Sequence, residues 1–153
     1  MTVRKDVVSG RPALRLTRSL LHSPEKVWGA ISEPAQLEKW FVAVVPWEPR
    51  VGETFEAGGA SGAVTEVDPP RVLAWTWSVE EYRFELIPDG EGCVLVFTHV
   101  FNPDYGPDWQ HAAGWEAYVD RLEVHLDGGF LSEEEAHLDM DARKDRYRQA
   151  FNA

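Results

Sequence analysis

Along "ALRLTRSLL" the apolar Leu14, Leu16 and Leu20 alternate with the polar Arg15, Thr17 and Ser19, a period of two that predicts a β-strand. "HSPEKVWGAI" follows with a helical start: Ser23 suits an N-cap, Pro24 the first helical position and Glu25 the positive helix end. Val27 and Ile31 then share one face at i, i+4. Pro34 restarts a second short helix with Leu37, Trp40 and Phe41 as its apolar side. From about residue 50 the period returns to two. "GETFEAGGASGAVTEV" reads as strand, glycine turn, strand, and "DPPR" as a tight turn that no central ladder would accept. "VLAWTWSV", "YRFELI" and "CVLVFTHVF" add three strands, the last two joined by the hairpin signal "PDGEG". After "NPDYGPD" the helical period is back: Trp115, Tyr118, Leu122 and Leu126 predict a long helix that stops at Gly128-Gly129. A charged helix from Ser132 closes the chain with Ala136, Met140, Tyr147 and Phe151 as a narrow apolar stripe. Residues 1–10 show no sustained period and predict a loose tail.

This order predicts an α+β domain over residues 11–130, with residues 131–153 as a charged helical extension. A sheet wet on one face must bury the other, and the long helix is the available cover. Alternation puts Leu73, Trp75, Trp77 and Val79 on the face toward that helix, with Tyr82, Phe84 and Leu86 on the next strand. On the last strand the larger set, Leu95, Phe97, His99 and Phe101, matches the tryptophan face better than Val94, Val96 and Thr98. Trp75 and Trp77 are therefore expected between sheet and helix, as part core and part pocket wall.

Composition narrows the functional classes. The chain has 153 residues, enough for one domain with a core of its own, and 44% are hydrophobic. Its net charge of −11 works against nucleic acid and anionic membranes as partners. No apolar run is long enough to span a bilayer and no N-terminal signal pattern is present, which points to the cytoplasm. Cys93 has no second cysteine to pair with, in keeping with a reducing compartment. The bias to Arg over Lys is that of GC-rich bacterial genomes. Seven tryptophans exceed what a core of this size usually uses.

"SPEKVWGAISEPAQLEKWF", "EVDPPRVLAWTW", the "GC…FTHV" strand and the "GWEAYVDRLEVHL" helix occur in an order and spacing that resemble the heat-shock ATPase activator homologue (Aha-type) family of the START-like, or SRPBCC, superfamily. The resemblance covers roughly residues 13–128. It implies a helix-grip fold, in which a curved antiparallel sheet grips the C-terminal helix around a cavity. Superfamily members bind hydrophobic ligands, cyclise polyketides or act as protein-binding modules, so the resemblance implies a cavity and not a reaction.

Residues expected to line such a cavity are Trp40, Trp47, Trp75, Trp77, Phe84, Phe97, His99, Trp115 and Tyr118. The leading expectation is a non-enzymatic protein that binds a hydrophobic or aromatic small molecule, with His99 or Tyr118 fixing its orientation. The alternative is an interaction module for a chaperone or another protein, with Tyr147 and Phe151 as docking groups or as a homodimer contact. The third is a cyclase- or aromatase-like enzyme using His99 and Tyr118 for proton transfer. No cofactor is expected. No metal is either, because His111 and His125 lie fourteen residues apart and lack the four-residue step of a helical pair. "GGASG" lacks the Lys-Ser/Thr ending of a phosphate loop, Ser61 has no nucleophile elbow, and Cys93 carries no sign of activation. The acids of "SEEEAHLDMD" suit a solvated helix start. Arg18 shares the Leu14–Leu16–Leu20 face, so it needs a carboxylate from the protein or from a ligand.

Overall fold

The computed structural model describes residues 2–152. Seven strands form one antiparallel sheet: β1 (Thr2–Val8), β2 (Arg11–Leu20), β3 (Thr54–Ala57), β4 (Ala60–Asp68), β5 (Val72–Trp77), β6 (Glu80–Asp89) and β7 (Gly92–Val100). Their spatial order is β1-β2-β7-β6-β5-β4-β3. Between β2 and β3 lie the short helices α1 (Pro24–Ser32) and α2 (Pro34–Trp40), and after β7 comes the long helix α3 (Asp108–Leu126). α4 (Glu133–Ala136) and α5 (Met140–Phe151) end the chain. This is the helix-grip α+β architecture, with α3 as the gripped helix. Ser23 caps α1 as its sequence position predicts, accepting from the Lys26 amide at 3.3 Å ahead of Pro24.

Residues 2–8 are not a loose tail. They form edge strand β1, paired from Thr2↔Thr17 to Val8↔Arg11. The glycine that seemed to end a tail is half of a turn: Ser9 and Gly10 both have positive φ (50° and 76°), which is what a tight two-residue hairpin requires. An edge strand buries little, and β1 has no fully buried residue, so its sequence shows no alternation. Val79 also departs from expectation. Ser78 takes φ 57° in the turn to β6, alternation ends there, and Val79 points to solvent.

The main core fills the space between the sheet and the helices. Leu73, Trp75, Phe84, Leu86, Leu95 and Phe97 meet Ile31, Leu37, Trp40 and Phe41 from the short helices, and Val119, Leu122 and Leu126 from α3. A smaller cluster lies under α5, where Tyr147 packs with Leu14, Phe101, Ala112 and Ala113, flanked by Met140 and Phe151. The apolar stripe of the tail is thus used within its own domain. Charges reinforce that docking. Glu116 on α3 accepts from Arg143 at 2.6 Å, Arg146 at 2.5 Å and the Tyr147 hydroxyl. Arg18 faces inward and its carboxylates come from the protein: Asp120 at 2.7 Å and Glu123 at 3.3 Å.

Candidate functional site

Strand register builds the site. Trp75, Tyr82, His99 and Leu14 lie opposite one another on four successive strands, so three rings stand side by side on the inner face. Trp75 stacks on Tyr82 at 5.3 Å and 10°, and Tyr82 on His99 at 4.5 Å and 13°. Trp77 sits nearer the end of β5, where its indole N–H donates to Ala57 O at 2.9 Å. The β3–β4 turn leaves space for that ring because residue 58 is glycine: a Cβ there would come within 3.1 Å of the indole, at a φ of +56°.

At this end of the sheet the packing is incomplete, leaving a cavity of about 350 Å³ open to solvent. Trp77, Glu80, Tyr82 and His99 form its sheet side; Gln110, His111, Gly114, Trp115 and Tyr118 its α3 side; and His137, Met140 and Lys144 the side given by the C-terminal extension. Val42 stands at the rim. Gly114 keeps the α3 side low, since a Cβ there meets nothing within 4 Å.

The polar groups of this wall are ordered. Trp115 Nε1 donates to His99 Nδ1 at 2.9 Å. An indole N–H can only donate, so Nδ1 is the unprotonated nitrogen and the His99 proton resides on Nε2. That nitrogen lies 3.2 Å from Glu80 Oε1, off the line of a well-formed hydrogen bond. Glu80 Oε1 also accepts from the Tyr82 hydroxyl at 2.8 Å, and Oε2 from the Asn102 amide at 2.8 Å. Burial pushes the Glu80 carboxyl up, but His99, the Asn102 amide and the Tyr82 hydroxyl together bring it below its ordinary value of 4.5. Glu80 therefore stays ionised and fully engaged. His111 packs edge-on to His99 at 5.2 Å and 89°, and its Nε2 is buried without a partner. Burial and then His99 hold it below the ordinary 6.5, against the opposing pull of Glu80, a backbone hydrogen bond at Gly106 and Asp108. The Gly106 bond engages its other nitrogen, so Nε2 carries a free lone pair.

These shifts act in the same direction on stability. A carboxyl depressed in the fold adds stability above its unfolded value of 4.5 that is lost as pH falls through the folded value. A histidine depressed in the fold refuses a proton that the unfolded chain accepts near 6.5, so stability drops below that pH. His125, depressed by burial and then by Lys39 and Lys26, adds to the same loss. The melting temperature is expected to fall between about pH 7.5 and about pH 5.5. That fall should be smaller in His111→Gln, and an equal fall in both proteins would show that His111 is not the group held neutral.

Of the residues expected to line a cavity, Trp77, His99, Trp115 and Tyr118 do so. Trp40, Trp47, Trp75, Phe84 and Phe97 are core instead, each no more than 3% exposed. Trp40 and Trp47 spend their indole N–H groups on Ala30 O and Ser32 O. Tyr118 bonds Glu133 at 3.3 Å, and burial with that carboxylate pushes its phenol up to about 12. Raised this far, the Tyr118 phenol keeps its proton near neutral pH, and His99 Nδ1 is occupied by the Trp115 indole. Burial and then Glu25 push the Cys93 thiol up, which keeps it protonated. Glu80 is absent from the expected lining although it continues the inward set Tyr82, Phe84 and Leu86, and so is His111, one helical turn before Trp115.

The family described as Activator of Hsp90 ATPase homolog 1-like protein matches residues 21–127. The chain belongs to that family. Among solved structures, this family member resembles CalU16 from Micromonospora echinospora in its crystal form, with a TM-score of 0.78 and 21% identity over 97% of this chain and 94% of that one. MLL2253 from Mesorhizobium loti matches with a TM-score of 0.68 and 26% identity over 78% and 99%. The Aha1 dimer from Colwellia psychrerythraea matches with a TM-score of 0.64 and 21% identity over 76% and 97%. A search of curated proteins found no match. β1, β2, α4 and α5 lie outside the residues that the family matches, so the extension's side of the cavity lies outside them too. No helix among the described residues is long and apolar enough to cross a membrane.

Proposed function

We propose that this protein is a non-enzymatic binder of a compact hydrophobic or aromatic small molecule, held in the cavity between β5–β7, α3 and the C-terminal extension. The observation that carries this reading is the wall itself: Trp77, Tyr82, Trp115 and Tyr118 converge on about 350 Å³ of open space. Apolar walls with a few fixed polar groups are the usual form of a small-molecule site, and this volume is at the small end of the roughly 300–1,000 Å³ range. That volume suits one or two rings.

Interaction with another protein is the second reading, favoured by family membership, with self-association its simplest form in view of the dimeric Aha1 relative. One experiment addresses both. Native mass spectrometry of the purified chain, followed by a tryptophan-fluorescence screen of compact aromatic compounds, is expected to find a co-purified molecule or saturable quenching. Gly114→Leu should abolish that binding by filling the cavity. It should also raise the melting temperature, since glycine in a helix costs about 1 kcal/mol relative to good helix formers. No binder, or binding untouched by Gly114→Leu, overturns the first reading; a doubled mass without ligand favours the second.

A further inference from the structure

We propose that the molecule held in the cavity is an aromatic carboxylate and that Lys144 binds its anionic group. This rests on the cavity being a ligand site and adds to that reading the charge of the ligand and the residue that selects it. The basic residues of α5 make the case. Arg143 pairs with Glu116, Asp120 and Asp139, Arg146 with Glu116, and Arg148 with Asp145. Lys144 lies among them, half-buried, and it alone of the four lines the cavity. It has no carboxylate within ion-pair distance among the described residues, although acids outnumber bases 26 to 15 in the chain. Met140 and Lys144 are four residues apart on α5, so the same helical face gives the cavity an apolar and a cationic group together.

The opposite charge is a poor fit. Glu80 is the cavity's one carboxylate, and both its oxygens already accept, from the Tyr82 hydroxyl and the Asn102 amide, with His99 beside them. Glu80 is 7% exposed, so a cationic ligand would meet a carboxylate turned toward its own partners, whereas a carboxylate would find an ammonium without an ion-pair partner at the edge of an aromatic wall. Partial burial next to these rings makes the ion contact stronger than it would be in open water.

Isothermal titration calorimetry with 2-naphthoate and its neutral isostere 2-naphthamide tests this on the full chain. Wild-type protein should bind the naphthoate about tenfold more tightly, as a charge-assisted hydrogen bond supplies. Lys144→Gln should remove the preference, and naphthamide binding that persists in it shows that the variant is folded. Lys144→Arg should keep it. Equal binding of both probes by the wild type, or a preference that survives Lys144→Gln, overturns the assignment of Lys144 while naphthamide binding blocked by Gly114→Leu leaves the cavity reading standing. If neither probe binds, both readings fall together.

Discussion

Trp40→Ala is expected to lower the stability of the fold by about 3–5 kcal/mol, a large share of the roughly 5–15 kcal/mol available to a domain of this kind. Trp40 is completely buried, edge-on to Phe41 at 5.3 Å and to Phe84 at 6.2 Å. Truncation opens a void in a region fixed on all sides. It also strips the Ala30 carbonyl of the indole N–H that now reaches it at 2.9 Å. Trp40→Phe keeps most of the ring volume and loses the hydrogen bond, so a smaller loss is expected. Urea denaturation followed by far-UV circular dichroism measures both. A near-native Trp40→Ala protein that no longer binds aromatic probes would place Trp40 at the ligand and not in the core.

Trp40 also shows what a linear pattern can and cannot reveal. Period-two alternation gives the side of the sheet on which a residue lies. It therefore located Trp75, Phe84, Phe97 and His99 on the inner face, where all four are buried. Depth depends on what arrives from elsewhere in the chain. Trp75 is closed over by Phe41 and Trp47, whereas Trp77, two residues on, meets Phe41 only at the end of its strand and stays partly open. Those contacts come from residues some 30 positions away, and no local period encodes them. β1 was illegible for a different reason: an edge strand without a buried face has no alternation to read, and only the Ser9–Gly10 turn betrayed it. Lys144 was hidden by its setting, a helix in which every neighbouring basic residue is paired. Glu80 was readable from the register of its strand. An acid in the inward register of a strand is itself a signal, because its burial needs partners.

The C-terminal extension is where the ion network, the cavity and the proposed ligand site meet, and Glu116→Ala separates them. Glu116 is buried and receives Arg143, Arg146 and the Tyr147 hydroxyl, so one carboxylate holds three groups of α5 on α3. Removing one member of a buried ion pair costs about 3–5 kcal/mol. Arg146 can relax into water, and Arg143 keeps Asp120 and Asp139, so the uncompensated group is chiefly the Tyr147 hydroxyl in the small core under α5. The loss is therefore expected to fall on α5 before it reaches the sheet, since undocking one helix exposes less than unfolding the domain. Hydrogen exchange should show α5 amides losing protection while β6 and β7 keep theirs. With α5 goes the wall of Met140 and Lys144, so 2-naphthoate affinity should fall in the same variant and the naphthoate-over-naphthamide preference should vanish. Protected α5 amides in Glu116→Ala would mean that Tyr147, Met140 and Phe151 dock the helix without the carboxylate, and that the extension is held by its apolar stripe alone.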